Sequence, residues 1–152
     1  MNKTMINWQC KFFDELSVDE LYAILQLRNE VFVVEQNCVY QDADSKDKLS
    51  YHITGWKNDA LIAYTRLIPP GVVYAESSIG RVVTSFAYRK TGAGKELMNQ
   101  SIKTCKKLFR EKPIKIGAQL YLKKFYLSFG FVQTSEIYLE DNIQHIEMIL
   151  FL

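Results

Sequence analysis

The sequence has few of the residues that mark specialised classes of protein. It contains three cysteines, three prolines and seven glycines in 152 residues, and no two cysteines form a CxxC pair. An odd number of widely spaced cysteines argues against both a disulfide framework and a zinc site. No apolar run approaches the roughly 18 residues of a membrane span, and residues 1–10 lack the apolar core of a signal peptide. We therefore expect a cytoplasmic protein that binds neither a metal nor a membrane.

The composition that is present is ordinary for a folded domain. Apolar residues make up 48% of the chain and charged residues 24%, which excludes disordered, collagen-like and coiled-coil proteins. A chain of this length forms one domain by default and is long enough to bury a core. We predict a single domain over residues 1–152.

The charge is distributed unevenly, although the net charge is only +2. Residues 14–50 carry nine acidic and three basic side chains, whereas residues 89–124 carry eleven basic and two acidic ones. This asymmetry is typical of two solvated faces that happen to differ. It is equally typical of an anionic partner for the basic segment and a cationic partner for the acidic one.

The hydrophobic pattern predicts a mixed α/β fold. A capping box at residues 17–20 begins the first helix, and Asn58-Asp59 favours the tight turn of a hairpin. The polar, acidic residues 37–50 are predicted to form a loop, and residues 95–110 a long amphipathic helix. The predicted element order is β-α-β-β-β-α-β-α-β-β, which indicates a mostly antiparallel sheet with helices on both faces.

The most informative segment is Arg-Lys-Thr-Gly-Ala-Gly at residues 89–94, between a predicted strand and a helix. Unpaired N–H groups at a helix start attract anions, and glycine lets a phosphate approach the backbone. A Walker A loop is excluded because Glu96 stands where Ser or Thr would hold magnesium. A Rossmann loop is excluded because Leu97 stands where a third small residue is needed. A glycine turn without a ligand is the remaining alternative.

The pattern R-x-x-G-x-G, preceded by the strand residues 81–84, resembles the acetyl-CoA loop of the GCN5-related N-acetyltransferase (GNAT) family. Residues 125–131 resemble the family's Y-x-x-x-G-F motif, and stretches such as 31–38 and 79–82 are similar to the ElaA-like subgroup. The resemblance covers nearly the whole chain. One departure is residues 142–145, which read Asn-Ile-Gln-His where the subgroup usually has G-I-P-H.

The resemblance implies a GNAT-type α/β fold and acetyl-CoA as co-substrate, held without a metal. In the family, a strand backbone pairs with the pantetheine arm, loop amides wrap the pyrophosphate, and a residue after the next strand touches the cofactor. Carried over to this sequence, the cofactor-binding positions are Val82, Val83 and Thr84, then Arg89, Lys90, Thr91, Gly92, Ala93 and Gly94, then Gln119 and Tyr126.

The catalytic candidates follow from the same resemblance and from ordinary acid–base chemistry. The family assigns protonation of the leaving thiolate to Tyr126, for which a plain core tyrosine is the alternative. Glu35, His52 and His145 are the candidate bases, with deprotonation through a chain of waters as the alternative. Substrate contacts are predicted for Arg28, Glu35, His52 and His145.

The predicted function is direct transfer of an acetyl group from acetyl-CoA to a primary amine on a small molecule or a protein. The acidic first half is expected to attract that amine. A CoA sensor without turnover, a basic nucleic-acid-binding module, and a ping-pong enzyme using Cys38 or Cys105 are the alternatives. We expect no nucleic-acid partner, since the basic segment lacks a recognition motif. A monomer and a homodimer paired through the terminal hairpin both fit the sequence.

Overall fold

Two sheets and three α-helices make up the part of the chain that the computed structural model describes, residues 5–151. Residues 1–4 and 152, which the single-domain prediction includes, lie outside it. In chain order the elements are β1 (Asn7–Phe12), α1 (Val18–Arg28), β2 (Tyr51–Lys57), β3 (Ala60–Ile68), β4 (Ser78–Thr84), α2 (Ala93–Phe109), β5 (Ile114–Gln119), α3 (Lys123–Leu127), β6 (Val132–Gln133), β7 (Tyr138–Glu140) and β8 (Ile143–Leu150).

Both sheets are antiparallel, and they meet at a single point. The first sheet has the order β1-β2-β3-β4; the second has the order β5-β8-β6, with β7 also paired to β8. A parallel bridge between Ser77 and Ile114 joins them, with the Lys115 N–H donating to the Ser77 carbonyl at 2.9 Å. Beyond this bridge, no ladder joins β4 to β5 within residues 5–151. The two strand edges therefore leave a gap between them.

The helices cover opposite faces of the first sheet, because successive strand residues point to opposite sides. Ile24 of α1 packs in one apolar cluster with Tyr64 of β3. Leu97 of α2 packs on the other face, in the larger cluster that contains Ala63 and extends into the second sheet. The predicted fold class, a mostly antiparallel α/β arrangement with helices on both faces, is confirmed.

The local sequence signals place the element boundaries well. The Ser17 hydroxyl accepts from the Glu20 amide at 3.1 Å, and the Glu20 carboxylate accepts from the Ser17 amide at 2.8 Å. Asn58 and Asp59 both have positive φ, 50° and 63°, in the predicted hairpin turn. The long helix begins at Ala93, two residues earlier than predicted.

The acidic segment at residues 37–50 differs from the solvated loop that its composition predicts. It contains a short 3₁₀ helix, Lys46–Leu49, and buries the carboxylates of Asp42 and Asp47. The first helix also continues beyond Arg28 as a π-helical segment, Asn29–Glu35. Across residues 5–151, no helix is long and apolar enough to cross a bilayer.

Candidate functional site

The gap between β4 and β5 widens into a cleft of about 810 Å³. The glycine loop closes one end of the cleft, and residues 40–46 with the start of β4 close the other. The end of the π-helical segment and the β7–β8 turn form further walls. The predicted site residues that line it are Glu35, Val82, Val83, Thr84, Arg89, Lys90, Gly94, Gln119, Tyr126 and His145.

The glycine loop passes from the end of β4 to the first turn of α2. Gly92 has φ +87° and immediately precedes the helix, a backbone conformation that favours glycine. Gly94 lies between strand β4 and α3, since a Cβ on it would come within 3.9 Å of Thr84 and 4.0 Å of Phe125. Thr91, Gly92 and Ala93 do not themselves line the cleft. The backbone of this loop is thus presented beside the free edge of β4.

Two neighbouring residues at the end of the π-helical segment reach across to different walls of the cleft. Glu35 forms a two-point ion pair with Arg89, with N–O distances of 2.7 and 2.8 Å. Gln36 and Gln119 exchange amide hydrogen bonds at 3.2 and 3.4 Å. Both oxygens of Glu35, a predicted base, are therefore already occupied by a guanidinium.

Tyr126 is buried in α3 and faces the cleft. Its ring packs edge-on against Phe125 and Phe131. Its hydroxyl makes no hydrogen bond to another of the described residues. The hydroxyl oxygen is also not fully buried, because it is absent from the fully buried polar atoms that lack a partner. Burial, with a smaller contribution from Tyr121, raises the pKa of Tyr126. The phenol consequently keeps its proton throughout the neutral pH range and is a hydrogen-bond donor directed at the cleft.

His145 lies opposite Gln119 in the β5–β8 ladder and lines the cleft. Its Nδ1 is 2.8 Å from the carbonyl of Ile143, so the ring proton must reside on Nδ1. This leaves the lone pair on Nε2, which lies 3.4 Å from the carboxylate of Glu140.

Arg28 does not line the cleft, contrary to its predicted role in substrate contact. Its side chain is 0% exposed, and its Nε and Nη1 donate to Asp42 and Asp47, each at 2.7 Å. Asp44 and Asp47 in turn accept from Arg66. The carboxylates that were expected to attract an amine are thus neutralised by arginines inside the fold. We refer to Arg28, Asp42, Asp44, Asp47, Arg66 and Arg81 as the Arg–Asp network.

His52 is buried behind the same network, which corrects its predicted role as a base or substrate contact. Nε2 donates to the Asp47 carbonyl at 2.9 Å, since a carbonyl can only accept. Nδ1 therefore accepts from the Tyr64 hydroxyl at 2.6 Å. Burial lowers the pKa of His52, so the ring is neutral and both nitrogens are already hydrogen-bonded.

Several cleft residues were missed by the sequence analysis: Tyr40, Lys46, Arg66 and Arg81. One signal for two of them was available. Arg66 and Arg81 each interrupt an otherwise apolar strand, where a charged residue needs either a partner or a function. The spacing of Lys46 and Tyr40 gives no such signal, because only the folded path of the segment brings them to the cleft.

The cysteines differ in their access to this site. Cys105 is buried, donates to the Ser77 hydroxyl at 3.4 Å, and has its pKa raised by burial, so its thiol is inert. Cys38 does line the cleft, where its thiol contacts the Asp141 carbonyl at 3.5 Å. A ping-pong route through Cys105 is therefore disfavoured by the structure.

The comparisons with known proteins agree with this geometry. The sequence model of the acetyltransferase (GNAT) domain matches residues 19–152. Escherichia coli ElaA is 49% identical over 146 residues, covering 95% of each chain. The crystal structure of Escherichia coli ElaA aligns with a TM-score of 0.90, covering 95% of this chain and 99% of that one.

Two further solved structures extend the match. An acyl-CoA N-acyltransferase from Pseudomonas aeruginosa aligns with a TM-score of 0.91 and 42% identity, covering 95% of this chain and 98% of that one. A Bacillus subtilis acetyltransferase in complex with CoA shares the fold alone, with a TM-score of 0.64 and 21% identity over 97% of this chain and 99% of that one. The fold is that of the GNAT acyltransferases. The chain belongs to the GNAT acetyltransferase family.

Proposed function

We propose that the protein is an acetyl-CoA-dependent N-acetyltransferase that transfers the acetyl group directly to a primary amine in a ternary complex. One observation carries the proposal. A single cleft brings together the glycine loop, an open strand edge and the hydroxyl of Tyr126. These are a site for phosphates, a site for an extended amide chain and a proton donor.

The cofactor half of the cleft consists of β4 and the glycine loop. Val83 and Thr84 pair with Tyr64 and Ala63 on one side, and their other edge faces the cleft. An extended chain with amide groups can add to such an edge as a further strand. Strand residues rise about 3.3 Å each, so the six steps from Ser78 to Thr84 span about 20 Å. The edge is long enough for a pantetheine-sized chain to end near the middle of β4.

The proton transfers are assigned to two side chains that line the cleft, His145 and Tyr126. His145 accepts a proton from the acceptor nitrogen at Nε2. The nitrogen lone pair forms the new bond to the thioester carbonyl carbon, and the carbon–sulfur bond breaks. Tyr126 donates its proton to the departing sulfur. Glu35 has an indirect role, since its contact is with Arg89 of the loop.

Replacing Tyr126 with phenylalanine tests the proposal. Tyr126→Phe keeps the ring and its packing but removes the donor, so kcat should fall by about 10²–10⁴-fold. Release of free thiol from acetyl-CoA with a panel of amines measures this, at saturating acetyl-CoA. Tyr121→Phe is the matched control, because Tyr121 also lines the cleft but is 71% exposed.

Three outcomes would contradict the proposal in different ways. A Tyr126→Phe variant within about threefold of the unmodified enzyme would remove the acid role. An acetylated protein detected by intact mass after acetyl-CoA alone would contradict direct transfer. Tight CoA binding with no thiol release for any amine would favour a sensor of the same fold.

A further inference from the structure

The backbone of Arg81 is unusual for a residue inside a strand. Its φ is +50°, in the left-handed region that side chains other than glycine rarely adopt. The cause is a β-bulge: Gly80 pairs with Arg66 and Val83 with Tyr64, so two residues of β4 oppose one residue of β3. A bulge of this kind redirects a side chain, and strained backbone of this kind is concentrated at functional sites.

The bulge directs Arg81 into the cleft and other groups hold it there. Its Nε donates to Asp42 at 2.8 Å and its Nη2 to the Asp42 carbonyl at 3.0 Å. Its guanidinium also lies over the ring of Tyr40, 5.7 Å from the centroid. The side chain remains 23% exposed and lines the cleft. Arg81 is therefore a fixed guanidinium whose Nη1 has no hydrogen-bond partner among the described residues.

The acidic groups of the Arg–Asp network leave no spare negative charge at this end of the cleft. The network pairs three arginines with three aspartates. Asp44 gives both oxygens to Arg66, at 2.7 and 2.8 Å, and so only a longer 3.9 Å contact remains for Lys46. Lys46 lines the cleft and adds an uncompensated positive charge.

The same end of the cleft also has more hydrogen-bond donors than acceptors. Arg66 is 3% exposed, and its Nε has no hydrogen-bond partner within residues 5–151. A Cβ on Gly80 would make ordinary van der Waals contacts, 3.8 Å from Ile68 Cδ1 and 3.9 Å from that Nε, so the Nε lies beside the Gly80 backbone that lines the cleft. A buried donor without an acceptor is costly. An anionic oxygen in this region would compensate both the charge and the missing acceptor.

The position of this end relative to the reaction follows from the direction of β4. The cofactor half of the cleft begins at the glycine loop and proceeds from Thr84 to Val82. Arg81 is the next residue, and hence lies just beyond the point where the acetyl group is delivered. Across the cleft, Glu140 and His145 provide a carboxylate and an imidazole that suit an amine.

We infer that the acceptor carries a carboxylate as well as its amine, and that Arg81 and Lys46 bind this carboxylate. The substrate class is an aminocarboxylate, either a free amino acid or a short peptide with a free C-terminus. The inference rests on the proposed N-acetyltransferase function and narrows its acceptor.

Matched acceptors test the inference. Free amino acids and dipeptides are compared with their C-terminal amides in the thiol-release assay, and lysine with cadaverine. We expect kcat/KM to be at least about tenfold higher for the carboxylates, since a charge-assisted hydrogen bond is lost in the amides. A comparison of free amino acids with dipeptides then shows which of these two acceptors provides the carboxylate.

Two variants assign the effect to the named residues. Lys46→Gln and Arg81→Gln should each raise KM for carboxylate acceptors by about tenfold and reduce the preference over amides. Lys48→Gln is the matched control, because Lys48 belongs to the same 3₁₀ helix, is exposed and does not line the cleft. If Arg81→Gln unfolds, Lys46→Gln still decides the question.

The outcomes separate this inference from the proposed function. Equal rates with amides, carboxylates and simple amines would overturn the inference while supporting the proposed function. Absence of thiol release with every acceptor would overturn the proposed function. In that case, calorimetric binding of N-acetylated amino acids and of their amides to the CoA complex still decides the inference, and equal affinities would overturn it.

Discussion

Two clusters of arginine–carboxylate ion pairs border the cleft, and they differ in how far their side chains are exposed to solvent. The Arg–Asp network is buried, with Arg28 at 0% and Asp47 at 9% side-chain exposure. The pair between Arg89 and Glu35 is exposed, at 33% and 42%. A buried charge must be compensated within the fold, whereas a surface pair contributes little to stability and can exchange partners. The buried pairs of the network are therefore scaffold, Arg81 at its edge is 23% exposed, and the Arg89 pair is available to a ligand.

Removing one carboxylate from the network should show the largest difference between the two clusters. Asp47→Asn removes the buried countercharge that Arg28 and Arg66 share and leaves them only Asp42 and Asp44, which should reduce the free energy of unfolding by about 3–5 kcal/mol. Urea denaturation measures the change. Lys11→Gln is the control, because it breaks a pair with Glu20 that is more exposed than the network and should cost less than about 1 kcal/mol. Equal losses in the two variants would contradict the distinction.

Acid should reveal the same network in the unmodified protein. Burial alone would raise the pKa values of Asp44 and Asp47, but hydrogen bonds and charge from Arg66 and Arg28 lower both below the usual range. The stability that they contribute is complete above the unfolded-state pKa of about 3.9 and is lost as pH falls through their lower folded-state values. Urea midpoints should be level from pH 7 to about pH 5 and decline below about pH 4. In Asp44→Asn the urea midpoint should fall less steeply with decreasing pH. If it falls as in the unmodified protein, Asp44 does not contribute to the acid sensitivity.

A substitution in the glycine loop should be distinguished from a substitution elsewhere by its effect on CoA affinity, not by its effect on stability. Gly92 and Gly71 have nearly the same φ, +87° and +88°, and a Cβ would meet nothing within 4 Å at either. Alanine should therefore cost each site a similar backbone strain, about 1–2 kcal/mol. Only Gly92→Ala should also weaken CoA binding, by about tenfold, because a Cβ hinders a phosphate from approaching the loop backbone. Calorimetry and thermal melting on both variants test this, and equal CoA affinities would contradict it.

Breaking the exposed pair between Arg89 and Glu35 should change the free energy of unfolding least. Glu35→Gln removes a surface partner of Arg89 and should alter the free energy of unfolding by less than about 1 kcal/mol. The guanidinium becomes free for an anion, so CoA affinity should stay level or rise a few-fold. A large loss of stability would place this pair with the network. A weaker CoA affinity would mean that Glu35 positions Arg89 for the phosphates.

The contrast between the clusters also explains what the sequence could predict. The capping box at Ser17, the Asn58-Asp59 turn and the glycine loop are local signals, and each is confirmed or shifted by at most two residues. The resemblance over nearly the whole chain predicted the family and fold class correctly. Cleft residues such as Tyr126 and Gln119 were found because they belong to a motif of fixed spacing.

The ion-pair partners of the charged residues could not be predicted from local sequence signals. Asp47 and Arg28 are 19 positions apart, and Arg81 lies 39 positions from Asp42. Nothing in the local sequence states which acids meet which bases, so a surplus of acid along residues 37–50 was interpreted as a negative surface. His52 was misjudged for a related reason, since its partners, Asp47 and Tyr64, are fixed by tertiary packing.

The bulge in β4 has a consequence for the evolution of the strand. The extra residue of the bulge reverses which side of the sheet the following side chains point to. Val82, Val83 and Thr84 therefore point to their present sides only because one extra residue precedes them. Substitutions in β4 can be absorbed one position at a time. A single-residue deletion would instead invert every face on one side of the bulge, and with it the part of the strand that lines the cleft. Relatives that keep this cleft should therefore vary in β4 by replacement and conserve its length.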